Sequence, residues 1–187
     1  MIEQTRRDLL LTTLATGAAA AALPGGAAAM LAGHEQDWAW LIGKWNVRHS
    51  RRRGWLNGTT DWDEFDGWVV NWPVMGGLAN VDDNWLGGPG DPYRAVALRA
   101  FDPKTGDWSI WWLDGRSPGA IDVPVRGRFE NGVGTFVADD VFAGKPIKMR
   151  FQWSEIAANS AHWEQAFSPD GGKSWEVNWR MAFTRQA

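Results

Sequence analysis

The sequence contains no cysteine. This absence excludes disulfides, thiolate metal ligands, a cysteine nucleophile and a lipid attached to cysteine. Histidine is scarce as well: the three residues, His34, His49 and His162, lie far apart in the chain. Their spacing is not that of a zinc site, and we expect no metal. The phosphate-loop and dinucleotide-binding motifs are also missing, and we expect no cofactor. A net charge of −3 gives no reason to expect binding to nucleic acid or to an anionic membrane.

What the sequence has in excess is tryptophan, with 15 residues against a single tyrosine. Each buried indole covers roughly 150–250 Å², so the core of one domain cannot absorb so many of them easily. Some of these side chains are therefore expected to line a cavity or a surface groove. The alternative is that they act as large fillers on strand faces, since tryptophan favours strands.

The first thirty residues resemble an export signal. Thr5-Arg6-Arg7-Asp8-Leu9-Leu10 looks like a twin-arginine motif, an apolar run follows over 9–23, and Ala27-Ala28-Ala29 fits an A-x-A cleavage site. We predict a cleaved twin-arginine signal peptide over 1–32 and a periplasmic mature domain over 33–187, with no membrane contact after cleavage. The alternative, a transmembrane anchor, is disfavoured because the run is short and rich in alanine.

The mature chain alternates apolar and polar residues in short segments that are separated by turn signals such as Asn57-Gly58 and Asn131-Gly132. The pattern predicts an all-β fold, an antiparallel up-and-down barrel of 8–10 strands with a short helix near 35–42. The predicted strands cover 44–53, 60–72, 78–86, 93–101, 107–114, 123–130, 133–142, 146–156, 161–167 and 174–184. Closure of such a barrel leaves no strand edge exposed.

The start of the domain resembles the lipocalin (calycin) signature. Gly43-Lys44-Trp45 is a G-x-W at the head of the first strand, after a helical turn, and places Trp45 at the floor of a barrel. Together with Gly76 to Asp82, Phe101-Asp102-Pro103 and Trp163 to Ser168, it resembles a lipocalin-like family of uncharacterised exported bacterial proteins. The resemblance implies a calycin-type barrel and no established activity. The haem-binding nitrobindins have glycine at the positions of Val47 and His49, which disfavours haem.

Polar residues on inward faces are candidates for a binding site, because a buried polar group is costly unless it is paired. Strand parity indicates His49 and Gln165, and less clearly Glu64 beside Trp62. With Trp45 these form the predicted ligand site: Trp45, His49, Trp62, Glu64 and Gln165. We expect a monomer or homodimer that binds a small apolar or aromatic molecule. One alternative is an enzyme that uses His49 or Glu64 as acid and base; another is carbohydrate binding by exposed tryptophans.

Three further motifs have both a functional and a structural interpretation. Arg51-Arg52-Arg53 resembles an anion clamp at the barrel rim, or else a solvated strand end. Asp82-Asp83 and Asp139-Asp140 are interpreted as solvated strand ends, since adjacent strand residues point to opposite faces. The segment 168–175 matches the Asp-box of sialidase propellers, but a single box in a domain of this size indicates a hairpin turn rather than a propeller.

Overall fold

The computed structural model describes residues 33–34 and 37–187, and the predicted signal peptide lies outside these residues. The described chain contains two short 3₁₀ turns, Ala39–Leu41 and Met75–Gly77, and ten strands. The strands are β1 Gly43–Arg52, β2 Trp62–Val74, β3 Ala79–Leu86, β4 Tyr93–Asp102, β5 Asp107–Asp114, β6 Val125–Glu130, β7 Val133–Phe142, β8 Lys145–Ser154, β9 Ser160–Ser168 and β10 Glu176–Arg185. None of the helical turns in this part of the chain is long and apolar enough to cross a membrane.

The ten strands form one closed antiparallel barrel in which each strand pairs with its neighbours in sequence. Closure is made by β1, which pairs with β2 on one side and with β10 on the other. Trp45, for example, lies opposite Val69 on β2 and opposite Arg185 on β10. The predicted all-β, up-and-down barrel is therefore confirmed.

The barrel follows from the period-two pattern of the strands, whose successive side chains point to opposite faces. On β1, Trp45, Val47 and His49 are buried, whereas Asn46 and Arg48 between them are exposed. Such alternation fixes the register, because a slip of one residue would turn every buried side chain outward.

One end of the barrel is closed by aromatic packing. Trp45 is 0% exposed, and its indole Nε1 donates to the carbonyl of Leu41 in the first 3₁₀ turn at 2.7 Å. Trp38 packs edge-on against Trp108, with ring centroids 6.2 Å apart, and lies over Phe136 at 5.7 Å. The 3₁₀ turn thus holds a plug, and Trp45 lies at the floor as expected.

The hairpin between β9 and β10 has the structure expected of an Asp-box. The hydroxyl of Ser174 donates to Asp170 Oδ2, and Oδ1 accepts from the backbone amides of Ser174 and Lys173 and from the hydroxyl of Ser168. These donors lower the pKa of Asp170. The indole of Trp175 donates to the carbonyl of Gly172 at 3.1 Å. The motif is a turn, and it sets the path of the chain at the open end of the barrel.

Candidate functional site

The barrel encloses a cavity of about 630 Å³ above the plug. One of its walls, built by β8, β9 and β10, is aromatic and sulfur-containing, with Met149, Trp153, Trp163, Trp179 and Met181 among its residues. Trp163 and Trp179 meet edge to face at 5.6 Å and 87°. Such contacts hold the rings in fixed orientations, so the wall offers a preformed apolar surface.

The opposite wall, on β3 and β4, is polar. Asp82 and Arg99 face the cavity and form a buried ion pair, with Arg99 Nη1 2.6 Å from Asp82 Oδ2 and side-chain exposures of 5% and 2% for Arg99 and Asp82. The interpretation of Asp82-Asp83 as a solvated strand end is therefore wrong for Asp82. It holds for the outward Asp83, which pairs with Arg94 on the barrel surface.

Three asparagines extend this ion pair into a buried network. Asn84 Nδ2 donates to Asp82 Oδ1 at 2.6 Å. Asn80 Oδ1 accepts from Arg99 Nη1 at 3.2 Å and from Asn71 Nδ2 at 3.0 Å. The Nε of Arg99 has no partner among the described residues. A polar network of this kind fixes its members in place and gives the cavity one hydrogen-bonding side.

The cavity opens between the loops at the end opposite the plug. Arg51, at the end of β1, stacks between Trp55 and Trp179, with its guanidinium carbon 5.0 Å and 4.6 Å from the two ring centroids. Its Nη1 donates to the hydroxyl of Tyr93 at 3.4 Å. On the other side of Tyr93, the guanidinium of Arg116 lies 3.8 Å from the ring centroid.

Carboxylates also face this opening. Asp114 accepts two hydrogen bonds from the guanidinium of Arg116, at 2.9 and 2.6 Å, and one from its backbone amide at 2.8 Å, and these lower the pKa of Asp114. Asp122 and Asp140 line the same opening. Burial raises the pKa of Asp122, and the charges of Asp140 and Asp114 raise it further. Cationic and anionic groups are therefore both present at the mouth.

The loop after β5 carries Gly115-Arg116-Ser117-Pro118-Gly119, a G-x-S-x-G pattern that can mark a nucleophilic serine. Here the loop leads into strand β6 and not into a helix. Ser117 lines the cavity, yet no histidine does so among the described residues. The lining therefore does not provide the histidine of a serine–histidine pair.

His49 is buried on the inward face of β1, at 2% exposure, but it does not line the cavity. Its ring stacks on Phe65 at 4.6 Å, and its Nδ1 accepts from the indole of Trp179 at 3.2 Å. Its Nε2 has no described partner and faces Gly67, where a Cβ would lie only 2.5 Å away. Burial, aided by the charges of Arg51 and Arg48, lowers the pKa of His49 to about 3. His49 is thus a neutral support for the cavity wall.

Gln165 is the member of the predicted site that lines the cavity. It is 6% exposed and donates from Nε2 to Asn178 Oδ1 at 2.9 Å. Trp45 lies in the plug, where its ring is 6.1 Å from that of Phe183. Of the five predicted residues, only Gln165 therefore belongs to the lining of the cavity.

Trp62 and Glu64 lie on the outer face of β2. Glu64 is 47% exposed at its side chain and forms a surface ion pair with Arg48 at 3.4 Å. Arg52 and Arg180 stack on the ring of Trp62, at 5.2 and 4.7 Å from its centroid. The buried positions of β2 begin at Phe65, so the residues that share the parity of Trp62 point outward.

The sequence carried a signal for the polar wall. Arg99 falls on the same parity as Tyr93, Ala95, Ala97 and Phe101, all of which are buried. On β3 the inward residues are Asn80, Asp82 and Asn84, so the rule that apolar residues face inward fails for that strand. A charged residue on the apolar face of β4 predicts a partner of opposite charge on a neighbouring strand, and Asp82 is that partner.

No protein-family model matches this chain, and no curated protein matches it. Among solved structures it is similar to the S-type phycobiliprotein lyase CPES from Guillardia theta, with a TM-score of 0.51 and 11% identity over 82% of this chain and 92% of that one. It also matches a redesigned beta barrel, with a TM-score of 0.45 and 12% identity over 81% of this chain and 96% of that one. At such identities the likeness to the lyase concerns the fold alone.

Proposed function

We propose that this protein binds a small, mostly aromatic or apolar molecule inside the barrel. The observation that supports this function is the cavity of about 630 Å³, with an aromatic wall on β8–β10 and a hydrogen-bonding wall on β3 and β4. Binding sites for small molecules commonly combine a large apolar surface with a few fixed polar groups. Here Arg99, Asp82 and Gln165 are the polar groups, and the indoles supply the apolar area.

The size of the cavity also limits the expected affinity. Burying about 250 Å² of apolar ligand surface contributes about 6 kcal/mol before the costs of association. By itself this contribution corresponds to a dissociation constant of about 40 μM, so a ligand that uses the aromatic wall alone should bind with a dissociation constant of tens of micromolar or more. Hydrogen bonds to the polar wall would add selectivity, because a buried donor or acceptor left without a partner is penalised.

The test uses the neutral fluorescent probe N-phenyl-1-naphthylamine. We expect it to bind the protein with micromolar affinity and to quench tryptophan emission. The change Trp112→Ala removes an indole that lines the cavity and should weaken binding about tenfold, the usual scale for losing one aromatic contact. Trp72→Ala is the matched control, since Trp72 is 43% exposed on the outside.

Equal probe affinity in the Trp112→Ala and Trp72→Ala variants would contradict the proposal, as would failure of the wild-type protein to bind the probe.

The enzyme alternative based on His49 or Glu64 has less support, because neither residue lines the cavity. The carbohydrate alternative requires a cluster of exposed indoles. Trp72 is the one tryptophan among the exposed large hydrophobic residues of the described chain.

We also propose that the protein is exported by the twin-arginine route and acts in the periplasm, on the strength of Arg6-Arg7, the apolar run and the A-x-A site. Replacing both arginines by lysine keeps their charge but removes the motif. We expect the double variant to accumulate in the cytoplasm as full-length precursor, measured by fractionation and immunoblotting. A variant with Arg51→Lys and Arg52→Lys is the control. Normal processing of the Arg6→Lys, Arg7→Lys protein would rule out this route.

A further inference from the structure

Arg51 differs from most other arginines of the described chain in having no carboxylate partner. Eight arginines there lie within 4.0 Å of an aspartate or glutamate oxygen. Arg126 and Arg180 also lack an ion pair, but both are exposed on the outside. Arg185 donates to backbone carbonyls, including those of Ala158 and Ile42. Arg51 alone is a partly buried cation that faces the cavity without such compensation.

The donors of Arg51 are mostly unused. A guanidinium has five N–H donors, and the one side-chain hydrogen bond of Arg51 is the contact of 3.4 Å to Tyr93. Stacking between Trp55 and Trp179 fixes the plane of the group. Burial lowers the pKa of Arg51, and the nearby charge of Arg116 lowers it further, while Tyr93 and the more distant Asp114 act in the opposite direction without cancelling the effect. A guanidinium held in one plane matches the two oxygens of a carboxylate.

Resting on the function proposed above, we propose that the ligand is an amphipathic anion: an aromatic or apolar body in the barrel with a carboxylate-type group bound by Arg51 at the mouth. The hydroxyl of Tyr93 lies beside the guanidinium and can donate a second hydrogen bond to the same group. Arg116 is held by Asp114 and stacked on Tyr93, so this ion pair brings no net charge to that side of the opening.

Asp122 and Asp140 act against an anion, because they line the same mouth. Their negative charges favour a cationic ligand instead. The sign of the ligand charge that the mouth favours therefore depends on which charged side chain there lacks a partner. The unpaired donors of Arg51 favour the anion, whereas Asp122 is exposed to solvent, which screens its charge.

The test is displacement of N-phenyl-1-naphthylamine from the wild-type protein by three matched competitors: 2-naphthylacetate, 2-naphthylacetamide and 2-(2-naphthyl)ethylamine. They share one ring system and differ mainly in charge. We expect the carboxylate to displace the probe at a concentration about tenfold lower than the amide, the scale of one charge-assisted hydrogen bond. The amine should be the weakest of the three. Equal potency of carboxylate and amide, or a preference for the amine, would overturn the proposal.

Variants then assign the preference to Arg51. Arg51→Gln should make carboxylate and amide equal, whereas Arg51→Lys should keep part of the difference because it retains the charge but not the planar fork. Arg48→Gln, on the outer face of the same strand, should leave the preference unchanged. Retention of the full preference in Arg51→Gln would contradict the role of Arg51.

Binding of the neutral probe separates the two proposals. If the probe binds Arg51→Gln as it binds wild type, the barrel is folded and any lost preference belongs to Arg51. Should Arg51→Gln fail to fold, the comparison of the three competitors on wild-type protein still decides for or against the anion. If no competitor and no probe binds wild type, the proposed function fails, which is a different result from equal binding of the carboxylate and the amide.

Discussion

At the closed end of the barrel, Trp38, Trp45 and Trp108 are 4%, 0% and 2% exposed and pack as a plug. At the open end, Trp55 and Trp112 are half-buried, and they border space that another molecule can enter. Tryptophan therefore fills the barrel interior at the closed end and lines the cavity at the open end. The difference comes from the 3₁₀ turn at Ala39–Leu41, which covers the closed end, whereas arginines and aspartates border the open one.

Replacement of a plug residue should give the largest loss of stability. Trp45→Ala leaves a hole where a fully buried indole was, and we expect it to lower the free energy of unfolding by about 3–5 kcal/mol. Chemical denaturation measures this value. Trp72→Ala, on the exposed surface, should change it by no more than about 0.5 kcal/mol. A loss below about 1 kcal/mol for Trp45→Ala would contradict the account of the closed end as a packed plug.

A substitution in the polar wall, between the two ends, should give the second-largest loss of stability. Asp82→Asn keeps the shape of the side chain but leaves Arg99 as a buried cation without its counter-charge, which should lower stability by about 3 kcal/mol. Asp83→Asn is the control, because Asp83 and Arg94 form an ion pair at the surface, and such pairs contribute about 0–1 kcal/mol. Equal losses of stability in the two variants would contradict the burial of the Asp82–Arg99 ion pair.

The smallest predicted effect concerns pH. His49 has a pKa of about 3 in the folded chain against 6.5 ordinarily, so the unfolded chain binds the proton first as the pH falls. The stability that comes from burying the neutral imidazole is complete above pH 6.5 and is lost progressively between pH 6.5 and about pH 3. By pH 5 the loss should reach about 2 kcal/mol.

His49→Gln should remove this part of the slope, measured as the difference in unfolding free energy between wild type and variant from pH 7 to pH 5. His162→Gln, on the outer side of β9, is the matched control. A wild-type slope that persists unchanged in His49→Gln would show that His49 is not protected from the proton as the structure indicates.

Most of the fold could be predicted from the sequence because alternation and turn residues are local signals. Hairpins such as the one at Asn131-Gly132 specify which strands are neighbours, and an up-and-down order then leaves β1 and β10 to pair. The G-x-W at Gly43-Lys44-Trp45 indicated the floor through its resemblance to the lipocalin signature, while strand parity indicated only that Trp45 faces inward, where it is fully buried.

The site was harder to predict because it depends on neighbours across the barrel. Parity placed His49 inward, but only the structure shows that Phe65 and Trp179 enclose it. On β2 apolar and polar residues alternate poorly, so the inward face could not be assigned from the sequence. In the structure Glu64 points to solvent beside Arg48. Asp82 and Arg99 were identifiable only as a pair, which requires the register of β3 against β4 as well as the inward parity of both residues.

The pairing of β1 with β10 has a consequence for how the chain folds. His49 and Trp179, which meet at this seam, are 130 residues apart in sequence. The ring of strands stays open until the last strand has been synthesised, and until then β1 and β9 each present an unpaired edge. Contacts between distant parts of a chain form slowly, and unpaired edges are the sites at which chains associate wrongly. The chain is therefore most exposed to aggregation before this seam closes, and closure removes both edges at once.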